Sequence, residues 1–292
     1  MLVAGWFSWA DAHATAGDLL ARDVVCRWLE RAGRAYDVAN HPAFGTGVDW
    51  RKANTDHYSD LIFVCGPVGP HTPIMELLER FSGSRKVGLD LSMILPTEAW
   101  NPFDALIARD GPAVSRPDIV FASRAPKVPV LGLILVEPYR PEYPDRDMQG
   151  EARDAARRLV RSRAVVVVEI DTRLDLNTTG LRTPAQVETL IAQMDAVVTT
   201  RLHGFVLALK NGVPAVAIDP VAGGAKIRQQ AEALGWPHVF TADAVDDSGL
   251  EAALAECLSA EGRAVARACR ERAIGAMGEI EANLIASLSP RA

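Results

Sequence analysis

One stretch of the chain, residues 195–226, restricts the fold more than any other. It reads DAVVTTRLHGFVLALKNGVPAVAIDPVAGGAK. Ala196 to Thr200 is a short, β-branched and nearly continuous apolar run, which is typical of a strand buried on both faces of a parallel sheet. Apolar residues then recur at helical spacing until Asn211-Gly212, a pair that ends helices, and a second buried strand is predicted from Val213 to Ile218. The stretch is therefore predicted to form a β-α-β unit.

Basic side chains cluster where the first of these strands ends. Arg201 can hold a carboxylate or phosphate with two parallel hydrogen bonds, and His203 can transfer a proton near neutral pH. Lys226 is expected on the glycine-rich turn after the second strand, and the helix that starts near Gly204 directs its first amides to the same sheet edge. These residues predict a small polyanion site with an acid beside it. The alternative is that Arg201 pairs with a structural aspartate and that His203 is a half-buried structural residue.

The same residues resemble the carboxyl-terminal signature of the polysaccharide pyruvyl transferase family. The shared order is strand, Arg-Leu-His at residues 201–203, apolar helix, Gly-Val-Pro at 212–214, strand, Asp-Pro at 219–220 and Lys226. Weaker similarities precede it: Gly5-Trp6-Phe7, Ala16-Gly17-Asp18, residues 60–66 and Arg109-Asp110. The chain departs from the family pattern at Thr15, where the family often has Asn, and at Cys65-Gly66-Pro67, which replaces a more glycine-rich turn.

This resemblance implies a fold, an activity and a set of site residues. The fold is α/β, with two Rossmann-like domains facing a cleft, as in the GT-B glycosyltransferases. The activity is transfer of the enolpyruvyl unit of phosphoenolpyruvate to two sugar hydroxyls, which forms a pyruvate ketal in exopolysaccharide or cell-wall glycan biosynthesis. His203 is expected to act as the general acid, and phosphoenolpyruvate is expected to contact Arg201, Leu202, Gly204 and Lys226.

Four further polar residues are candidates for the acceptor side of the reaction. Glu169 and Asp171 follow the four-valine run 165–168, so they should lie at the carboxyl end of a strand. There they would position a sugar hydroxyl or act as a base, or simply pair with nearby arginines. Asp18 and Arg109 belong to the weaker family similarities. For Arg109, an ion pair with its neighbour Asp110 is the alternative.

Composition excludes several classes of function. The net charge of −6 over 292 residues argues against general nucleic-acid binding, which needs many Lys and Arg contacts to phosphates. Four cysteines lie far apart, with no CxxC and no His at metal-ligand spacing, which argues against a zinc site and favours a reduced, cytoplasmic setting. The reaction that the resemblance implies requires no metal, and we expect no cofactor. The sequence has no apolar span of membrane length. We expect peripheral contact at most with a lipid-linked saccharide acceptor.

Alternating strand and helix patterns extend over most of the chain, which predicts doubly wound parallel sheets. The Pro-, Ser- and charge-rich segment 115–129 separates an amino-terminal acceptor-side domain, residues 1–125, from a donor-binding domain, residues 126–292. The last forty residues are Ala-, Glu- and Arg-rich and predict one or two closing amphipathic helices.

The sequence is also compatible with two other functions. One is a GT-B-like glycosyltransferase that uses a nucleotide sugar, with Arg201 and Lys226 holding a diphosphate and Glu232 as the nearest candidate to bind the ribose. The other is a catalytically idle member of the fold that binds an acidic metabolite or carries a partner-binding surface.

Overall fold

The computed structural model describes residues 1–11, 13–111, 115–136 and 143–288. The chain forms two compact units, Met1–Pro126 and Lys127–Ala292. Each unit contains its own five-stranded, all-parallel sheet with helices packed against it. The prediction of two Rossmann-like α/β domains is thereby confirmed. In the described ranges, none of the helices combines the length and the apolar character needed to cross a bilayer.

The sheet of the first unit has the strand order β2-β1-β3-β4-β5. Successive residues of β3 point to opposite faces, so Leu61 and Phe63 join one apolar cluster with α2 while Ile62 and Val64 join another with α1. Both faces of the sheet are therefore covered. The elements are β1 (Leu2–Gly5), α1 (Ala16–Arg31), β2 (Asp37–Val38), β3 (Asp60–Val68), α2 (Ile74–Arg80), β4 (Arg85–Met93) and β5 (Ala105–Asp110).

Irregular backbone is concentrated near the carboxyl ends of β3, β4 and β5. Leu89 pairs with Ile107 and Leu91 with Ala108, so Asp90 is an extra residue in β4. Arg109 is likewise an extra residue in β5, because Ser92 pairs with Asp110. Cys65 and Asp90 also have positive φ angles, 66° and 59°. Bulges of this kind redirect side chains and are frequent beside functional sites.

The sheet of the second unit has the strand order β10-β9-β8-β6-β7. Its inner strands β8 and β9 are buried throughout, as their apolar sequences predict. The elements are β6 (Val130–Ile134), α3 (Gln149–Arg161), β7 (Val166–Glu169), α4 (Pro184–Ala192), β8 (Ala196–Thr199), α5 (Leu202–Lys210), β9 (Ala215–Asp219), α6 (Lys226–Leu234), β10 (Val239–Thr241), α7 (Asp247–Cys257) and α8 (Ala260–Ser287).

The carboxyl-terminal region forms two helices, within the predicted range of one or two. Helix α7 buries Leu250 and Leu254, and the first part of α8 buries Ala266 and Cys269 in the core of the second unit. Beyond residue 273 every described residue of α8 is exposed.

Candidate functional site

The predicted β-α-β unit is present as β8, α5 and β9. Helix α5 begins at Leu202, with Arg201 at its N-cap, so it starts two residues earlier than the position near Gly204 that the sequence suggests. His203 therefore lies in the first turn of the helix. The amides of residues 202–204 have no carbonyl partner inside the helix, as in any first helical turn, and carry its partial positive charge.

Thr199 fixes the junction between β8 and α5. Its hydroxyl donates to the carbonyl of Ile134 at 2.8 Å and accepts from the amide of Arg201 at 3.0 Å. The side chain of Thr199 is completely buried. The position of Arg201 relative to the sheet is therefore set by a hydrogen-bonded threonine rather than by the strand alone.

Gly204 lies on the sheet side of α5 and is buried. A Cβ atom at this position would lie 2.5 Å from Thr199 Oγ1 and 2.7 Å from Ile134 Cγ2. The glycine thus allows the helix to approach β6 and β8 closely. Its observed role is packing under the site.

The guanidinium of Arg201 is held from one side. Its Nη1 atom donates to Thr172 Oγ1 at 3.2 Å and lies 3.5 Å from Asp171 Oδ1. The side chains of Arg201 and Asp171 are 16% and 8% exposed, so this ion pair is largely shielded from water. Among the described residues, only Nη1 of this guanidinium has a hydrogen-bond partner. Its remaining N–H groups can hold a ligand.

Lys226 is the first residue of α6 rather than part of the preceding turn. Asp219, at the end of β9, accepts hydrogen bonds from the amides of Ala225 at 2.7 Å and Arg228 at 3.1 Å. This buried carboxylate caps α6 and offsets the partial charge of that helix start. The sequence signature Asp219-Pro220 therefore has a structural explanation here.

A cavity of about 290 Å³ joins the starts of α5 and α6. Of the five predicted donor-site residues, Arg201, Leu202, His203 and Lys226 line it, whereas Gly204 does not. The wall also includes polar residues that were not predicted to contact the donor: Tyr143, Asp147, Gln149, Thr200 and the signature residue Asp219. Of these, Asp147 forms an isolated bridge with Val221 and comes from a segment without a recognisable motif.

Glu169 is the last residue of β7, and Asp171 follows this strand of the second unit. Asp171 is buried and accepts from the amides of Arg173 at 2.9 Å and Thr178 at 3.2 Å, in addition to its contact with Arg201. Asp171 therefore orders its own loop and orients Arg201. This is the pairing of Arg201 with a structural aspartate that the sequence offers as an alternative. Glu169 is exposed and borders a separate small cavity of about 40 Å³.

The other two acceptor-side candidates lie in the first unit and line a common cavity of about 510 Å³. Asp18 is buried at the start of α1, where its carboxylate accepts from the amide and the hydroxyl of Thr15, both at 2.8 Å. The Thr15 side chain accepts in return from the Asp18 amide, which completes a capping box. Thr15, a departure from the family pattern, thus contributes to the start of the helix.

Arg109 is surrounded by three carboxylates. Its Nε donates to Asp110 Oδ2 at 2.8 Å, and its Nη1 donates to Asp118 Oδ2 at 2.7 Å and lies 3.9 Å from Asp90 Oδ2. The hydrogen bond to Asp110 is the main factor that raises the pKa of Arg109. The same hydrogen bond lowers the pKa of Asp110. The pairing with Asp110 considered from the sequence is present, and two further partners join it.

Cys65, Asp90 and Asp118 form a cluster that the sequence analysis missed. One ligand atom from each lies within 4.8 Å of the others. Burial raises the pKa of the Cys65 thiol to about 12, and nearby carboxylates add to the effect. Burial and the Asp118 carboxylate also raise the pKa of Asp90. The three residues are too far apart in sequence for any spacing motif, so only the packing of β3, β4 and the segment after β5 brings them together.

The comparisons with known proteins identify a family. The family model of polysaccharide pyruvyl transferase matches residues 75–220, half of the chain. The chain belongs to this family. The matched region contains Arg109, Arg201 and His203, whereas Asp18 precedes it and Lys226 follows it. No curated protein sequence matches the chain.

Three solved structures are similar to this family member at low sequence identity. A calicheamicin glycosyltransferase is 16% identical, with 79% of this chain and 69% of that chain covered, at a TM-score of 0.36. A spinosyn forosaminyltransferase is 12% identical, with 93% and 94% covered, at 0.32. A kitacinnamycin glycosyltransferase is 14% identical, with 99% of each chain covered, at 0.37. With TM-scores below 0.5, these similarities add no argument to the fold assignment that the two parallel sheets provide.

Proposed function

We propose that this protein is a pyruvyl transferase that moves the enolpyruvyl unit of phosphoenolpyruvate onto sugar hydroxyls of a glycan or glycoside and forms a pyruvate ketal. The observation that carries the proposal is the convergence of Arg201, His203 and Lys226 on one cavity at two helix starts. Family membership supports transfer to a polysaccharide. The donor and the ketal chemistry are the proposed part.

The charges of the cavity suit this donor. Phosphoenolpyruvate carries a carboxylate and a phosphate close together, and Arg201 offers planar N–H groups that match either of them. Lys226 supplies a second cation, and the amides of residues 202–204 supply the partial positive charge of a helix start. Because Asp171 and Thr172 hold Nη1 of Arg201, its guanidinium is ordered before the ligand binds.

The size of the cavity favours a small donor. Its volume of about 290 Å³ is at the lower end of the range for small-molecule sites. Phosphoenolpyruvate is far smaller than a nucleotide sugar. In addition, Glu232 forms an exposed ion pair with Arg228 at 3.2 Å and borders a different cavity, so the residue needed to bind a ribose in the alternative function is not at this site.

The proposed reaction follows from the positions of these groups. Protonated His203 transfers a proton to C3 of the donor, which makes C2 electrophilic. One sugar hydroxyl adds to C2, the phosphate leaves with the electrons of the C2–O bond, and a second hydroxyl of the same sugar closes the ketal ring. The two hydroxyls release two protons in total: one balances the proton added to C3, and the other leaves with phosphate. Arg201, Lys226 and the helix amides stabilise the departing phosphate.

The proposal also assigns a substrate to each unit and a cellular compartment to the reaction. The second unit would bind the donor and the first unit the saccharide acceptor, with Asp18 and Arg109 on the acceptor side. All four cysteines are unpaired, which suits the cytoplasm, where we place the reaction as a step of exopolysaccharide or cell-wall glycan synthesis. A lipid-linked acceptor would require peripheral membrane contact.

Donor identity is tested by thermal stabilisation. Wild type and the variants Arg201→Ala and Arg228→Ala are each heated with phosphoenolpyruvate and with UDP-, GDP- and ADP-sugars. Arg228→Ala is the matched control, because Arg228 lies on the same helix as Lys226 but borders the other cavity. A ligand at 100 times its Kd stabilises the folded state by about 2.7 kcal/mol, which gives a clear shift in melting temperature.

We expect phosphoenolpyruvate to stabilise wild type and Arg228→Ala but not Arg201→Ala. Stabilisation by a nucleotide sugar alone would contradict the proposal and favour a glycosyltransferase, and no stabilisation by any of these ligands would favour the idle member of the fold. With an acceptor in hand, His203→Ala should lower kcat by about 10²–10⁴-fold while donor affinity changes less. Full activity of that variant would refute the role of His203.

A further inference from the structure

The cavity of the first unit lies at the carboxyl ends of β1, β3 and β5, the edge where ligands bind in open α/β sheets. Its volume of about 510 Å³ is within the range of small-molecule sites. The wall combines an indole, hydroxyls and charged groups, and the residues that matter here are Trp6, Asp18, Cys65, Thr72, Arg109 and Asp118. Such a mixture of an aromatic surface with convergent polar groups suits a polyhydroxylated ligand.

Behind this wall lies Asp90, a carboxyl group that is only 2% exposed. Its Oδ1 accepts from the amide of Ile119 at 3.3 Å, whereas its Oδ2 has no hydrogen-bond partner among the described residues. The titratable groups that face it are Cys65 from β3, Arg109 from β5 and Asp118 from the turn that follows. A buried carboxylate with an unpartnered oxygen is costly, so this position favours a neutral, protonated acid.

The local charge balance supports the same assignment. Arg109 contributes one positive charge to Asp90, Asp110 and Asp118, and its shortest contacts go to Asp110 and Asp118. Burial and the Asp118 carboxylate raise the pKa of Asp90, since a second negative charge beside the first is unfavourable. A proton on Asp90 reduces the excess of negative charge and places a hydrogen-bond donor next to Asp118.

A bound cation is the competing explanation, because Cys65, Asp90 and Asp118 have the spacing of a metal site. Arg109 argues against it. Its Nη1 lies 2.7 Å from Asp118 Oδ2, 3.9 Å from Asp90 Oδ2 and 4.0 Å from Cys65 Sγ. The guanidinium already occupies the place of the positive charge, and a divalent ion there would be repelled by it.

We propose that this cavity binds a saccharide, in which a sugar hydroxyl donates a hydrogen bond to the Asp118 carboxylate while the protonated Asp90 holds Asp118 in place from behind. The identity of the ligand as a saccharide rests on the function proposed above. Asp118 is the ligand-binding member of the pair, and Asp90 is a positioning residue. The bulge and the positive φ angle at Asp90 turn its side chain toward Asp118 and away from the regular strand.

The test uses matched carboxylate variants of the full chain. Asp118→Asn removes the charged acceptor but keeps a good N-cap for Val120, whose amide now bonds Asp118 Oδ1 at 2.8 Å. Asp110→Asn is the control, because Asp110 also pairs with Arg109 but does not border the cavity. Asp90→Asn is neutral at every pH and retains a donor, and it is compared with Asp90→Ala, which has none.

Binding is measured by saturation-transfer NMR and thermal shift with methyl glycosides of glucose, galactose, mannose and N-acetylglucosamine, titrated through the millimolar range. We expect at least one sugar to bind wild type. Asp118→Asn should weaken its Kd at least about 10-fold, the loss expected for a hydrogen bond to a charged group. Asp110→Asn should change Kd less than about threefold. Asp90→Ala should weaken binding and Asp90→Asn should restore it, which a merely structural role of the charge would not predict.

Several results would overturn the proposal: no binding of any of the four sugars, equal binding by wild type and Asp118→Asn, or loss of binding in Asp90→Asn equal to that in Asp90→Ala. Stabilisation of wild type by Zn²⁺ or Mn²⁺ that disappears in Asp118→Asn would assign the cluster to a cation instead. The same samples are heated with phosphoenolpyruvate. Sugar binding without a response to phosphoenolpyruvate would support this inference and refute the proposed donor. A response to phosphoenolpyruvate without sugar binding would support the donor and refute this inference.

Discussion

Replacement of Gly204 by alanine should destabilise the second unit and also weaken its candidate donor site. The added Cβ would lie 2.5 Å from Thr199 Oγ1 and 2.7 Å from Ile134 Cγ2, both atoms of completely buried residues. Neither atom is the end of a flexible side chain, so the helix or the strands must move. The Thr199 hydroxyl that would be displaced accepts a hydrogen bond from the amide of Arg201.

The magnitude follows from two opposing effects. Overpacking of a buried site costs about 1–3 kcal/mol, whereas alanine in place of glycine stabilises a helix by about 0.5–1 kcal/mol. We therefore expect a net loss of about 1–2 kcal/mol in the free energy of unfolding. In a domain of this size each kcal/mol corresponds to about 2–4 °C in melting temperature.

Urea unfolding monitored by circular dichroism measures this loss, and Gly275→Ala is the control. Gly275 is also a helical glycine, but a Cβ there has no neighbour within 4 Å, so this substitution should not destabilise the protein. Phosphoenolpyruvate should stabilise Gly204→Ala less than wild type, because Arg201 and the first turn of α5 shift. Equal stability of the two alanine variants, together with an unchanged response to phosphoenolpyruvate, would refute the reasoning.

Two further predictions concern buried polar groups of the second unit. Desolvation lowers the pKa of His238, and Glu256 opposes this effect more weakly, so the unfolded chain binds more protons and the free energy of unfolding should fall as the pH drops below about 6.5. His238→Gln should reduce this pH dependence, which urea unfolding midpoints at neutral and acidic pH measure. Equal pH dependence of wild type and His238→Gln would contradict the prediction. Trp236→Phe removes the indole N–H that donates to the carbonyl of Ala215 at 2.7 Å, so it should lower the free energy of unfolding by about 1–3 kcal/mol. The control Trp28→Phe, at an exposed position, should lower it by less than about 0.5 kcal/mol, and urea unfolding measures both.

The second unit shows how far sequence reasoning extends. Buried parallel strands are continuous apolar runs, and the glycine and asparagine that end α5 are local signals, so β8, α5 and β9 were predicted from residues 196–218 alone. The grouping of Arg201, His203 and Lys226 also followed from sequence, because the carboxyl ends of parallel strands share one sheet edge.

Contacts between residues that are distant in sequence depended on the tertiary structure. The role of Gly204 depends on the distance between α5 and the sheet, which no local pattern reports. Asp171 reaches Arg201 from a loop thirty positions earlier, and no spacing rule links the two residues. In the first unit, Cys65 comes from β3, Asp90 from a bulge in β4 and Asp118 from the segment after β5, and only the packing of these elements brings them together. Local sequence sets strands and helix starts because those depend on nearby residues, whereas the partners of a charged side chain depend on which distant elements pack together.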